Sequence, residues 1–358
     1  MIINGISIKK FRGFKDVQFK LGQNLTVIAG QNGTQKTTLL GILSQPFTIT
    51  DNDNPLKKEK PLSGGGFRSA FAEKFKLSPT FDTPKNHEWT LSLNRETDSE
   101  FTLESISRIS SKSPNATLRF WQKGTRAQGS GYIQCPVIYL SLSRLFPIGE
   151  DKELNSSTPI DLNKDEIEFY QRWHNDILIT TNLEITSVEY LVSKQKHTLG
   201  ANAAHYDWNT NSAGQDNIGK ILLAILSFKR LKEKYPNNYE SGILVIDELD
   251  ATLYPASQLR LVDALLKFSA KYNIQIIFTT HSLSILEHDC TLQDNKTRHG
   301  QVRVIYLQQV DMNVKAVTDI SFEKIRDHLN VVLSKINKPK KIPIFTEDKE
   351  GQLFLKAI

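Results

Sequence analysis

The sequence predicts an α/β protein: a mostly parallel sheet carrying a phosphate-binding loop, an antiparallel β subdomain and a helical insertion. Three observations lead there. Residues 30–38, GQNGTQKTT, follow a short buried-strand pattern, LTVIA, and precede a helical one. Residues 243–250, ILVIDELD, form an apolar run that ends in acids. Between 218 and 308 helical and apolar stretches alternate, which implies right-handed βαβ units. The length of 358 residues fits one large α/β domain with insertions, or two to three lobes. With 39% hydrophobic and 23% charged residues the chain can bury a core and is not of disordered type. A net charge of +6 is compatible with a polyanionic partner without specifying one. Two cysteines, Cys135 and Cys290, can build neither a disulfide framework nor a four-cysteine zinc site, which points to a reducing cytoplasm. No run approaches 18 apolar residues and the start, MIINGISIKKFRGF, has no apolar core of signal-peptide type. Neither a membrane-spanning nor an exported protein is expected.

Taken in order, 2–9, 17–21 and 25–29 have strand patterns and 37–43 begins a helix. Residues 46–84 turn to Asp, Asn, Lys, Pro and Gly, including Gly64, Gly65 and Gly66, and predict an irregular loop-like insertion. Residues 89–94, 101–109 and 116–122 alternate as antiparallel strands do, so 46–130 is taken as insertion plus antiparallel β. A buried strand is expected at 136–140, a helix at 165–179 and an extended segment at 186–193. Helices at 218–232 and 258–272, strands at 242–246 and 274–279 and a helix starting at 281–287 complete the alternation. Residues 150–217 are the helical region that precedes this core. The basic segment 335–341, KINKPKK, predicts a linker between a first domain, 1–334, and a strand at 342–346.

The chemistry concentrates in four places. A phosphate needs converging backbone N–H groups, an ammonium and, for Mg²⁺, a hydroxyl; a glycine-bearing strand–loop–helix supplies all three. Lys36 is assigned to the β- and γ-phosphates and Thr37 to Mg²⁺, with Gly30, Asn32, Gly33, Gln35 and Thr38 completing the cradle. Where the usual pattern has glycine before the lysine, this chain has Gln35; a glycine-like backbone there would cost glutamine about 1 kcal/mol. Asp247 and Glu248 stand at the carboxyl end of an apolar strand, where parallel sheets bind ligands. Asp247 can hold Mg²⁺ and Glu248 can polarise an attacking water; a solvated turn is the bland alternative. His281, in FTTHS, ends the next strand and can reach a γ-phosphate. Ser212, Gly214 and Gln215, in SAGQ, precede a helix, a pattern that on its own is also an ordinary cap.

The order of these motifs along the chain resembles that of ATP-binding-cassette ATPases. The opening IKKFRGFKDVQFKL is similar to the SMC and RecF-like branch rather than to transporters. PVIYLSLSRLFPIGE and DELDATLYP resemble the ATPase part of the OLD (overcoming lysogenization defect) nucleases of bacterial defence systems, retrons included. The resemblance implies ATP and Mg²⁺ as ligands and a homodimer that sandwiches two ATP molecules. Ser212, Gly214 and Gln215 of one protomer would meet the γ-phosphate held by Lys36 of the other. It makes Glu248 the catalytic base, His281 the γ-phosphate sensor and Asp250 part of the loop joining the two sites. Arg12 would contact the nucleotide, and Arg144 stands where the family often keeps an arginine, an exposed surface ion pair being the alternative. In OLD proteins a Toprim nuclease domain follows, opening with a strand that ends in a metal-binding glutamate. IPIFTEDKEG is similar to that opening, with Glu347 as its first metal ligand. The chain is then expected to stop inside a nuclease domain, the alternative being a simple C-terminal strand. Expected partners are nucleic acid, DNA above all, and a separate nuclease subunit or a retron reverse transcriptase with its DNA–RNA product. An arm-less RecF-like DNA clamp is the competing reading; a transporter subunit fits the FRGF opening poorly.

Overall fold

The computed structural model describes residues 1–69, 74–94, 99–110, 113–125, 131–156, 162–180, 184–194, 196–331 and 349. The predicted linker at 335–341, the strand at 342–346 and Glu347 lie outside the described residues. The chain divides into two compact units, Met1–Phe322 and Glu323–Ile358.

The first unit opens with β1 (Ile2–Phe11), β2 (Phe14–Lys20) and β3 (Leu25–Gly30), followed by α1 (Lys36–Ser44). After the insertion come β4 (Glu88–Asn94), β5 (Ser99–Ser110), β6 (Ser113–Gln122), β7 (Val137–Leu140) and the short β8 (Asn155–Ser156). Then follow α2 (Lys164–Leu178), β9 (Ile185–Val192), β10 (His197–Ala203), α3 (Ala213–Lys234), β11 (Gly242–Ile246), α4 (Pro255–Tyr272) and β12 (Ile274–Thr279). Next come α5 (Leu283–Asp294), β13 (Val302–Val310) and β14 (Asn313–Val317), and α6 (Phe322–Leu329) starts at the last residue of the first unit.

Eleven strands form one sheet, ordered β6-β5-β4-β1-β2-β14-β13-β3-β12-β11-β7, and β10-β9-β8 form a small antiparallel one. The half from β13 to β7 is parallel, while β1, β2, β4, β5 and β6 pair antiparallel. The antiparallel strands predicted as a subdomain thus extend the main sheet itself. The residue patterns explain both halves. Every residue of β3, β11 and β12 is buried, as strands covered on two faces must be. In β4, Trp89, Leu91 and Leu93 point inward and alternate with more exposed neighbours, the mark of a sheet with one covered face. Phe11, Trp89 and Phe120 pack there in one aromatic cluster, Phe11 stacked on Phe120 and edge-on to Trp89.

The insertion is not peripheral. Leu56, Leu62 and Phe67 are buried, and Phe75 lies against α1, where a Cβ on Gly41 would meet its ring at 2.6 Å. On the other side, α2 packs on α3 and α4, and β10 packs on α3. Gly219 permits that last contact, since a Cβ there would stand 2.4 Å from the Leu199 carbonyl. Helix α2 starts with a capping box between Asn163 and Glu166, and Glu166 also holds Arg230 of α3. The strand at β10 escapes the sequence reading because HTLGANA neither alternates nor is rich in branched residues. Among the described residues no helix is long and apolar enough to cross a membrane.

Candidate active site

The parallel order β3-β12-β11-β7 brings the carboxyl ends of four strands side by side, and the phosphate loop, the acids and His281 each follow one of those ends, while SAGQ heads α3. From β3 the chain enters the loop at Gly30, whose φ of 153° brings its backbone close to Leu307. Asn32 and Gly33 are exposed at the tip, and Gly33 has φ 83°. Gln35 adopts the left-handed conformation, φ 62° and ψ 33°, so the position does ask for a glycine-like backbone. Its side chain is put to use: Oε1 accepts from the Gly13 amide at 3.3 Å, which ties the loop to the turn between β1 and β2.

Helix α1 starts at Lys36, whose ammonium is folded back onto the Gly30 and Gln31 carbonyls at 2.9 and 3.1 Å. Burial lowers its pKa, and Glu248, Asp247 and Asp250 oppose that shift. Thr37 Oγ1 donates to Asp247 Oδ2 at 2.9 Å, so the loop and the acid strand meet in a direct hydrogen bond. Thr38 is buried, and the Arg12 guanidinium reaches its hydroxyl at 3.4 Å. Arg12 grips Asp82 of the insertion with two hydrogen bonds, 3.2 and 2.8 Å, and lies over the Phe75 ring. It is therefore built into the wall beside the loop.

At the end of β11, Asp247 also accepts from Thr279 Oγ1 at 2.7 Å, and that oxygen in turn accepts from the Glu248 amide at 2.7 Å. Glu248 has φ 49°, a left-handed turn directly after the strand that leaves its carboxylate only half-buried. Asp250 accepts from Thr280 Oγ1 at 2.6 Å and from the His281 amide at 3.3 Å. Burial, then the Lys36 ammonium, lowers His281 below the ordinary histidine value, while Asp250, Glu248 and Asp247 pull the other way. Lys36, the three acids and His281 thus share one electrostatic neighbourhood.

Arg144 is not a surface residue. Only 2% of it is exposed, and its guanidinium donates to the Asp247 and Glu248 carbonyls at 2.6 Å each, to Ser141 and to Asn217. Burial lowers its pKa to about 10 against the pull of Asp247 and Glu248, so it remains charged at neutral pH. It holds the backbone of the acid strand, and the surface ion pair is excluded. Sequence reasoning missed Thr279, Thr280 and Asn217. The signal for the two threonines was present, as two hydroxyls ending an otherwise apolar strand just before His281.

Ser212 caps α3 and forms a capping box with Gln215, whose Nε2 also donates to Tyr206. Gly214 packs against the loop after Asp250, where a Cβ would stand 3.0 Å from the Thr252 carbonyl. Asn217 fastens the same loop through Ala251. Within one chain these signature residues bond to each other and to that loop, not to residues 30–38.

Residues 137–286 match the family model of an AAA ATPase domain. No curated protein matches the chain. Among solved structures, an SMC head bound to the C-terminal winged-helix domain of ScpA aligns with TM-score 0.51 and 16% identity, over 91% of this chain and 100% of that one. The SMC head of Thermotoga maritima gives TM-score 0.48 at 13% identity over 90% and 100%, and RecF with ATP gives 0.44 at 13% over 88% and 99%. The chain is an ATPase whose mixed α/β fold is that of the SMC head.

Proposed function

We propose that two copies of this chain close around two ATP molecules, and that the closed state gates nucleic-acid cleavage by an OLD-type nuclease, either a Toprim domain or a partner protein. The observation that carries the reading is the Thr37–Asp247 hydrogen bond, which couples the phosphate loop to the acid strand at the place where Glu248 turns outward. The donor set there, a hydroxyl and a carboxylate oxygen, suits Mg²⁺, held by Thr37 and by Asp247 through water. Bound Mg²⁺ would neutralise phosphate charge and help align the transferred group. Lys36 would leave its two carbonyl partners for the β- and γ-phosphates, and the amides of Asn32, Gly33 and Gln35 would hold the remaining oxygens. Glu248 accepts the proton of the attacking water, His281 donates to the γ-phosphate, and Arg144 holds the strand that positions Glu248. Ser212, Gly214 and Gln215 act in trans, which suits the exposure of Ser212 and its lack of a bond to its own loop.

The nuclease partnership rests on the OLD-like motifs at 136–150 and 247–255, with Glu347 as the opening acid of the nuclease. The partner is then a separate nuclease subunit, or a retron reverse transcriptase with its DNA–RNA product. A RecF- or SMC-like DNA clamp without a nuclease is the second reading, favoured by the SMC-head alignment. Light scattering of Glu248→Gln in Mg-ATP tests the shared step. Without hydrolysis the closed state accumulates, so the mass doubles with ATP and not with ADP; a monomer in both would sink the sandwich. DNA cleavage by the ATP-bound protein purified from its native source with whatever accompanies it then separates the two readings, since the clamp reading expects none.

A further inference from the structure

We propose that a cavity between the glycine run Gly64, Gly65 and Gly66, the end of β7 and helix α3 is an anion site for a phosphate-bearing ligand, separate from the loop at 30–38. Its volume is about 190 Å³. Two ammoniums line it, Lys196 and Lys220, only 3% and 8% exposed. Asp216 pairs with Lys196 and is the carboxylate that draws on Lys220, so one negative charge faces two positive ones. Burial pushes Lys220 down to about 7, opposed by Asp216 and reinforced by Lys196, so an anion in the cavity is what would hold it charged at neutral pH.

The donors are also incompletely used. An ammonium has three N–H groups. Lys220 gives two, to the Ser63 and His197 carbonyls at 2.7 and 2.5 Å, and Lys196 gives two, to the Phe146 carbonyl and Asp216. Each has one left. At the rim Arg68 is exposed, and among the described residues its guanidinium forms no hydrogen bond or ion pair. Gly64 and Gly65 both have positive φ, 86° and 74°, and the Gly64 amide closes the turn onto the Pro61 carbonyl at 3.1 Å, so the glycine run forms a tight wall of the cavity. Donors arriving from two ammoniums and a guanidinium suit the three or four oxygens of a phosphate better than the two of a carboxylate. Arg144 lines the same cavity while holding the Asp247 and Glu248 carbonyls, so an occupant sits one side chain from the catalytic strand.

The test is calorimetric titration of the full chain carrying Lys36→Ala, which silences the loop at 30–38, with inorganic phosphate and with AMP in separate arms. One equivalent of phosphate or AMP should bind, the tighter of the two telling whether the site takes the free ion or an esterified phosphate. Adding Arg68→Glu, an exposed change that leaves the fold intact, should weaken binding by about tenfold or more, and adding Lys220→Met should abolish it. No binding to Lys36→Ala in either arm, or binding that Arg68→Glu leaves unchanged, overturns the proposal. The outcome does not depend on dimerisation or on a nuclease.

Discussion

At the scale of single residues, the phosphate loop shows a conflict resolved locally. The left-handed backbone at Gln35 costs about 1–2 kcal/mol in a residue with a Cβ. The bond from its side chain to the Gly13 amide returns part of that, about 0.5–1 kcal/mol. Gln35→Gly would relieve the strain, lose the bond and add about 0.5–1 kcal/mol of unfolded-chain entropy. These contributions cancel to within about 1 kcal/mol, so melting should barely move. Turnover is a different matter. The loop must open when Lys36 leaves the Gly30 and Gln31 carbonyls, and the Gln35–Gly13 tie opposes that opening. Gln35→Gly should therefore raise the steady-state hydrolysis rate severalfold; an unchanged rate would show that the tie does not limit turnover. The identity of this residue was legible as a departure from pattern, and so was its strain. Its bond to Gly13 was not, because the partner lies 22 positions away and is set by the β1–β2 turn.

At the scale of elements, the clearest readings came from the strands that are buried on both faces. Residues 242–246 and 274–279 coincide with β11 and β12 because a fully covered strand is a continuous apolar run with hard polar ends. Strand β10 was illegible for the opposite reason. Its Gly200 makes room for Trp208, whose Cβ would lie 2.5 Å from an added Cβ, so a tertiary contact rather than a strand pattern selected the residue. Helix α3 shows how one sequence signal can carry two meanings. Ser212 is a cap, and the closed-dimer reading makes it a phosphate contact as well. Ser212→Asp separates them. Aspartate caps a helix as well as serine does, so the melting temperature should stay within a degree or two. Its charge, however, would face the γ-phosphate of the partner's ATP, and ATP-dependent dimerisation should be lost. A Ser212→Asp protein that still dimerises in ATP would remove Ser212 from the interface.

At the scale of the whole molecule, the insertion, the antiparallel half of the sheet and the phosphate loop are joined through one buried network. Arg12 at the β1–β2 turn reaches Thr38, Asp82 and the Lys76 carbonyl. Asp82 accepts further bonds from the Ser78 amide and from His87, and His87 contacts Ser105 of β5. Composition alone marked 46–84 as a loop; these long-range bonds make it a wall of the site, and no local pattern encodes them. The network has a pH signature. Burial alone would raise the Asp82 carboxyl, but the bonds from Arg12, Ser78 and His87 outweigh it and hold the group at about 2. The carboxyl is 3% exposed, so solvent screening does little to reduce the effect. A folded-state value below the unfolded one stabilises above the unfolded pKa of 3.8 and is lost as pH falls from there through about 2. The contribution is about 2 kcal/mol. Burial also lowers His87, so the ring resists protonation in the folded state and adds to the loss as pH falls below 6.5. Asp82→Asn keeps the shape and removes the charge. In urea titrations at pH 7 and pH 3, the wild type should lose about 1 kcal/mol more across that interval than Asp82→Asn does, the rest going only as pH falls on through about 2. Equal losses in the two proteins would mean that Asp82 is not ionised in the fold, and that Arg12 holds the insertion by hydrogen bonding alone.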